Sequence, residues 1–368
     1  MRILCITDKI YTESESSLKG IFEKYLLEYC KIDIMYFSKD STKKSEGNKF
    51  ILPYSTKHKR MLQNFMQVGG NFLDYDFIVV RNFYPVLKQI LPYHKNIIFW
   101  ETFPHDYRRI YEAKRDKKAI FRKSIEYKVK HFLHSKLLSK CVAYVGSTPL
   151  FYSIFYPNIP IKNSFIPNGI DFSTCNIKSI QKNTNTIHNP LKIIYIGSID
   201  KNREMAFITH AISQVKGDFI FDIFTPSKND EVEKISQITQ KDSRIKLHPP
   251  LAFTEMLKTL SNYDIGLGII PNTPLYEVSS PIKAMEYASN GVIPLINDLP
   301  EYLRLFDNTN AFFCEFTQNA IKDSIEKILS TSKDSLPDMK KSVFIMAQEK
   351  LDYKIITKDF YNFLISLK

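Results

Sequence analysis

The sequence predicts an α/β chain built from two parallel-sheet domains, and three observations carry that expectation. Short β-rich runs alternate with helical patterns along the chain. The alternation pauses once, at the polar, aperiodic stretch NIKSIQKNTNTIHNP (176–190), and then restarts. Finally, 368 residues, 44% of them apolar with 27 Phe and 21 Tyr, exceed one ordinary core but suffice for two. The expected division is a first domain at 1–175, a linker at 176–190, a second domain at 191–350 and a closing helix at 351–368.

In order, RILCIT (2–7), IDIMYF (32–37), FIVV (77–80), NIIFW (96–100) and VAYVG (142–146) read as strands. Between them lie helical patterns at LKGIFEKYLLEYC (18–30), near 83–91 and at 107–140. That order is the signature of a parallel sheet wrapped by helices. The half closes at FIPNGID (165–171), where Asn168-Gly169 is a turn signal. After the linker, LKIIYIG (191–197), DFIFDIF (218–224), IKLHP (245–249), YDIGLGII (263–270) and GVIPLIN (291–297) repeat the pattern, and an amphipathic helix near 353–366 follows. Such sheets bind ligands at the carboxyl ends of their strands, beside helix N-termini. Two such edges facing each other make a cleft suited to joining two substrates.

Several classes are set aside by composition. No apolar run reaches transmembrane length, and MRILCITDKI reads as a first strand, not a secretory leader. The five cysteines (Cys5, Cys30, Cys141, Cys175, Cys314) are scattered without C-x-x-C spacing, which points to a reducing, cytoplasmic compartment. Cys5 reads as a small buried hydrophobe. The net charge of +12 is concentrated: residues 107–140 hold twelve Lys or Arg and three carboxylates. Phe121, Ile125, Val129, Phe132 and Leu133 recur there at helical spacing, so the segment reads as one long basic amphipathic helix. It can be the solvated face of a core-packed helix, a dock for an anionic membrane on the inner face of the cytoplasmic membrane, or a nucleic-acid surface. The last lacks any accompanying binding motif.

The stretch SSPIKAMEYASNGVIPLIN (279–297) carries the chemistry. Ser280 is suited to cap a helix, Pro281 to its first turn and Gly291 to its end. Lys283 and Glu286, three apart, share one face near the helix start. Free N–H groups there suit a phosphate, and a carboxylate one turn in suits ribose hydroxyls. The plain alternative is a capped helix with a surface Lys–Glu pair.

PNGID (167–171), YIGSIDKNR (195–203), YDIGLGIIP (263–271) and SPIKAMEYASNGVIP (280–294) resemble, in that order, glycosyltransferases of the GT-B fold, most of all the retaining family 4 type. The resemblance runs from about Val145 to Phe313. WETFPHDY (100–107) is similar to a stretch of members that build bacterial capsule and exopolysaccharide. The resemblance implies two Rossmann-like doubly wound domains facing a cleft, acceptor on the first and nucleotide-sugar donor on the second, with the closing helix crossing back to the first. Glu286 falls on the second glutamate of the family's E-x7-E motif, which holds the donor ribose. The first falls at Val278, beside Glu277. Arg203, with Lys201 or Lys283, would neutralise the leaving diphosphate, because the usual arginine after Gly197 is Ser198. Ser279, Ser280 and Ile282 complete the implied donor loop. His105 would contact the donor sugar, Glu101 matches the capsule-type glutamate, and Gly20 falls at the acceptor loop.

The implied catalytic set is Arg203, Glu286 and His105, with a UDP- or GDP-sugar as donor, a lipid-linked or oligosaccharide acceptor, and no cofactor or metal. Asp74-Tyr75-Asp76 spells the D-x-D of metal-dependent transferases but precedes a strand, where it reads as a cap at the strand entrance. In retaining members the acceptor attacks on the face the diphosphate leaves, and a leaving oxygen takes its proton. Two rival classes remain: a nucleotide-sugar 2-epimerase on the same fold, and a non-catalytic homologue that scaffolds an assembly complex, suggested by Val278 and Ser198.

Overall fold

The computed structural model describes residues 1–13, 15–57, 60–331 and 335–368, which fall into two compact units. The first comprises Met1–Asn168, Val278–Ser280 and Tyr353–Lys368; the second comprises Gly169–Glu277 and Pro281–Asp352. The main boundary therefore lies at the Asn168-Gly169 turn, seven residues before the expected end of the first domain.

The first unit holds one sheet of eight strands: β1 (Arg2–Ile10), β2 (Lys31–Ser38), β3 (Lys44–Glu46), β4 (Lys49–Pro53), β5 (Phe77–Arg81), β6 (Ile97–Trp100), β7 (Ala143–Gly146) and β8 (Lys162–Phe165). Their order is β3-β4-β2-β1-β5-β6-β7-β8, parallel except for the β3–β4 pair. The chain winds outward one way from β1 and the other way from β5, so the topological switch lies between these two. Central strands are covered on both faces, and each face takes alternate residues. Leu4, Ile6, Ile78, Val80, Phe99 and Tyr144 pack on one side. Ile3, Cys5, Phe77, Val79, Ile98 and Trp100 pack on the other, where Tyr353, Ile356, Phe360 and Leu364 of the helix Tyr353–Ser366 close the layer.

Three local features differ from the sequence expectation. The pattern at 18–30 forms no regular helix but a π turn at Leu18–Phe22 and a 3₁₀ turn at Tyr25–Glu28. The basic segment is two helices, His105–Arg115 and Ile120–Leu138, broken where Lys117 and Ala119 take positive φ of 53° and 51°. Strands β3, β4 and β8 went unanticipated: β3 has no apolar residue, and β8 (KNSF) only one.

The second unit holds β9 (Leu191–Ile196), β10 (Phe219–Phe224), β11 (Ile245–His248), β12 (Ile265–Leu267), β13 (Ile293–Ile296) and β14 (Phe312–Phe313), all parallel, in the order β11-β10-β9-β12-β13-β14. Its switch point is between β9 and β12. Residues 176–190, expected as a linker, are part of this unit. They contain the helix Ile177–Asn183, capped by the Asn176 side chain, with Ile180 buried beneath it. Further on, the His188 N–H donates to Asp264, and Lys340 Nζ donates to the Thr186 carbonyl at 3.0 Å. A two-turn helix with one buried aliphatic shows no period, which is why the segment reads as a linker.

Candidate functional site

In an open parallel sheet the loops after the two strands at the switch point diverge, leaving a crevice at their carboxyl ends. In the second unit those loops follow β9 and β12. Gly197 follows β9 directly with φ +143°, a conformation L side chains rarely adopt, and the Lys283 side chain lies against it. Lys283 comes from the helix Ile282–Ala288, which follows the β12 loop, and its ammonium stands over the Tyr195 ring, 5.5 Å from the centroid. The Tyr195 hydroxyl donates to the Ser198 carbonyl at 2.7 Å and fixes the turn that leaves the strand. Arg203, in the same loop, is half-buried and paired with Asp200, which also accepts the N–H groups of Asn202 at 2.9 Å and Arg203 at 3.1 Å.

Glu286 is one turn along from Lys283 and half-buried. Among the described residues the two form no ion pair, and neither the Glu286 carboxylate nor the Lys283 ammonium has a hydrogen-bond partner. Burial pushes the Glu286 carboxyl up, and the Lys283 charge offsets only part of that. Burial and the nearby Arg203 charge push Lys283 down, with Glu286 and Asp200 opposing. Two cations, a carboxylate with vacant acceptor sites and a strand-end glycine thus stand within one unit at its switch point. That arrangement can take an anion and hydroxyl groups together.

The rest of the 279–297 stretch differs from expectation in detail. Pro281, not Ser280, caps the helix, which ends at Ala288 before Gly291 turns with φ +66°. Ser280 Oγ instead accepts the Asn168 N–H at 3.0 Å. Val278 is fully buried among first-unit side chains, and its carbonyl accepts from Ser147 at 3.1 Å and Thr148 at 3.0 Å. An acidic side chain in that apolar setting would be costly, which accounts for a valine there. Ser279 is buried with it, whereas Glu277 and Ile282 are half-buried and belong to the second unit. Ser198 and Lys201 are exposed in the loop after β9.

The first-unit candidates are placed separately. Gly20 is buried in the π turn, where a Cβ would stand 2.3 Å from the Tyr353 ring, so packing accounts for this glycine without a ligand. Glu101 follows β6 and is buried; its Oε2 accepts from the hydroxyls of Tyr84, Tyr144 and Tyr156 at 3.2, 3.1 and 3.0 Å. Desolvation raises its carboxyl to about 7, against the pull of the tyrosine donors. His105 opens the helix His105–Arg115, exposed, with its ring 5.3 Å from that of Phe103. Asp74 and Asp76 stand at the entrance of β5, where Asp76 accepts the Arg2 N–H at 2.7 Å.

Sequence reasoning passed over Asp200, Tyr195 and, in the first unit, Arg81. Asp200 stands three residues before Arg203, a spacing that lets a loop aspartate hold its arginine. Arg81 ends β5 at the first unit's own switch point, buried, paired with Asp8 and 3.4 Å from Glu15, its guanidinium over the Trp100 ring. Its only sequence signal was a lone charge closing an apolar strand.

No family model and no curated protein matches the chain. Solved structures do match. A sucrose-phosphate synthase from Thermosynechococcus elongatus aligns over 100% of both chains with a TM-score of 0.72 and 10% identity. Anabaena HepE in complex with UDP and glucose aligns over 100% of both with a TM-score of 0.70 and 11% identity. A glycosyltransferase from Rickettsia africae ESF-5 aligns over 100% of this chain and 98% of that one, with a TM-score of 0.65 and 11% identity. The chain therefore has the two-domain parallel α/β fold of these GT-B proteins, a likeness of fold.

Proposed function

We propose that the protein is a retaining glycosyltransferase that moves a sugar from a nucleotide-diphosphate donor to a saccharide acceptor, with the nucleotide held by the second unit. The observation that carries this reading is the group Gly197, Arg203, Lys283 and Glu286 at the β9/β12 switch point. Lys283 and Arg203 take the diphosphate, and Glu286 accepts both ribose hydroxyls. The fold neighbours support it, since HepE is described in complex with UDP and with UDP-glucose.

In the reaction the bond from the anomeric carbon to the diphosphate oxygen breaks, and its electron pair stays on the diphosphate. Fixed cations beside that oxygen stabilise the charge as it develops. The acceptor hydroxyl attacks on the same face and passes its proton to the departing oxygen, so no side-chain base is needed. His105 and Glu101, in the first unit, are assigned to the acceptor and donor-sugar side by resemblance alone. On the same footing we assign the acceptor to the lipid-linked saccharides of bacterial surface polysaccharide, with UDP or GDP as the carrier.

Thermal unfolding against UDP, GDP, CMP and ADP tests the reading. Ligand at a hundredfold its Kd adds about 2.7 kcal/mol of stability, a midpoint rise of roughly 5–11 °C for a domain of this size. One nucleotide should give that shift, and Glu286→Gln should remove it. No shift with any nucleotide, or no transfer and no donor hydrolysis despite one, would favour a non-catalytic scaffold.

A further inference from the structure

On the surface of a water-soluble unit, an amphipathic helix turns its apolar stripe to the core and its polar side chains to water. The helix Ile120–Leu138 is mounted the other way round. Tyr127, His131 and His134 face the first unit: Tyr127 packs edge-on to Tyr107 at 5.8 Å, His131 stacks on Tyr156 at 5.3 Å, and His134 stacks on Tyr84 at 3.4 Å. His134 also pairs with Asp106 at 2.9 Å. Phe121, Ile125, Val129, Phe132 and Leu133 face water. Phe121 is 80% exposed and the other four between 48% and 57%. Their spacing keeps all five in one stripe along a helix about 28 Å long.

The charges around that stripe are mostly positive, and Asp116, near its head, is paired with Arg115 at 2.9 Å. Arg122, Lys128 and Lys136 are exposed along it, Lys117 and Lys118 stand at its head, and Lys140 stands beyond its foot. The Lys136 ammonium lies 4.4 Å from the Phe132 ring centroid, its stem lying along the apolar stripe. Glu126 is turned off the stripe, toward Lys123 at 2.8 Å and Lys130 at 3.1 Å. Among the described residues no helix is long and apolar enough to cross a membrane.

We propose that this helix lies in the plane of an anionic phospholipid bilayer, with Phe121, Ile125, Val129, Phe132 and Leu133 below the headgroups and the lysines and arginines at the phosphates. Charge complementarity selects this occupant. Pairing the stripe with a second copy would set basic rim against basic rim. A lipid surface offers acyl chains under a continuous layer of phosphate, which matches both parts of the stripe. The proposal goes beyond the donor-site reading and does not rest on it.

The test is flotation of the full chain, without nucleotide, on phosphatidylcholine vesicles and on vesicles rich in phosphatidylglycerol. The protein should float with the anionic vesicles only. Phe121→Ser and Phe132→Ser should each lower the partition coefficient about tenfold, with an unchanged unfolding midpoint because both side chains are exposed. Phe121→Trp should shift its emission to the blue on anionic vesicles, against the constant background of Trp100, which is 1% exposed. No flotation would overturn the proposal, as would flotation that survives both serine variants. A dimer that Phe121→Ser dissociates, with no vesicle binding, would reassign the stripe to self-association. Glu286→Gln should float like the unaltered protein, so failure here and failure of the donor-site reading are told apart.

Discussion

Lys283 fills the space that a side chain at position 197 would need: a Cβ built on Gly197 stands 2.5 Å from Nζ and 2.3 Å from Cε. The glycine and the lysine are therefore a matched pair, one making room for the other. In Gly197→Ala the methyl meets a strained backbone and pushes the flexible end of Lys283 out of its place. We expect a stability loss of about 1–3 kcal/mol and at least a tenfold loss in nucleotide affinity, read by thermal unfolding and calorimetric titration. Nucleotide affinity that survives the substitution would separate Lys283 from binding.

The same lysine sets a pH dependence. Glu286 binds ribose hydroxyls best as the carboxylate, and its carboxyl is raised. Lys283 binds diphosphate as the cation, and its ammonium is lowered. Affinity should therefore fall on the acid side at higher pH than an ordinary glutamate would dictate, and on the alkaline side at lower pH than an ordinary lysine would. Titration of the matching nucleotide across pH should trace this narrow bell. Glu286→Gln should erase the acid limb and Lys283→Met the alkaline one, each at reduced affinity.

Glu101 offers a separate check on stability. Its folded value is about 7 against an ordinary 4.5, so the folded state holds the proton more tightly than the unfolded chain. Its contribution is fully present below pH 4.5 and is lost as pH rises through 7, amounting to about 3 kcal/mol. Glu101→Gln should keep the tyrosine contacts and flatten the pH dependence of stability across that window. Denaturant melts at several pH values measure the difference, and parallel curves for the two proteins would refute the assignment.

Gly20 divides packing from acceptor binding. Gly20→Ala drives a methyl into the Tyr353 ring and should cost roughly 2–3 kcal/mol while leaving nucleotide binding by the second unit unchanged. A stability change near zero would mean that the ring gives way freely.

Much of this organisation was legible because it is written in long, repeated signals. Runs such as RILCIT and LKIIYIG are apolar at nearly every position, as strands buried on both sides must be, and the central strands followed from them. Helix 107–140 was legible as basic and amphipathic, but not as broken: Lys117 and Ala119 carry no glycine or proline to announce a left-handed turn. The direction its stripe faces is a tertiary fact that periodicity cannot contain. Glu286 and Lys283 could be singled out because a helix fixes their shared face. The pairing of Arg203 with Asp200 depends on a loop conformation, and the fate of Val278 depends on side chains more than a hundred residues away, Ser147 and Thr148 among them. Short edge strands such as β3 and β14 fail for a simpler reason: two or three residues hold no period.

The helix Tyr353–Ser366 belongs to the first unit although Leu336–Lys350, just before it, belongs to the second. During synthesis, then, the layer formed by Ile3, Cys5, Phe22 and Trp100 waits for Tyr353, Phe360 and Leu364 until the second unit's whole sequence has left the ribosome. The nascent first unit spends that interval with the part of this layer that the closing helix covers still exposed to water. Cutting the gene at Asn168 would make the condition permanent, and would leave Val278–Ser280 in the second piece without the first-unit residues they pack among.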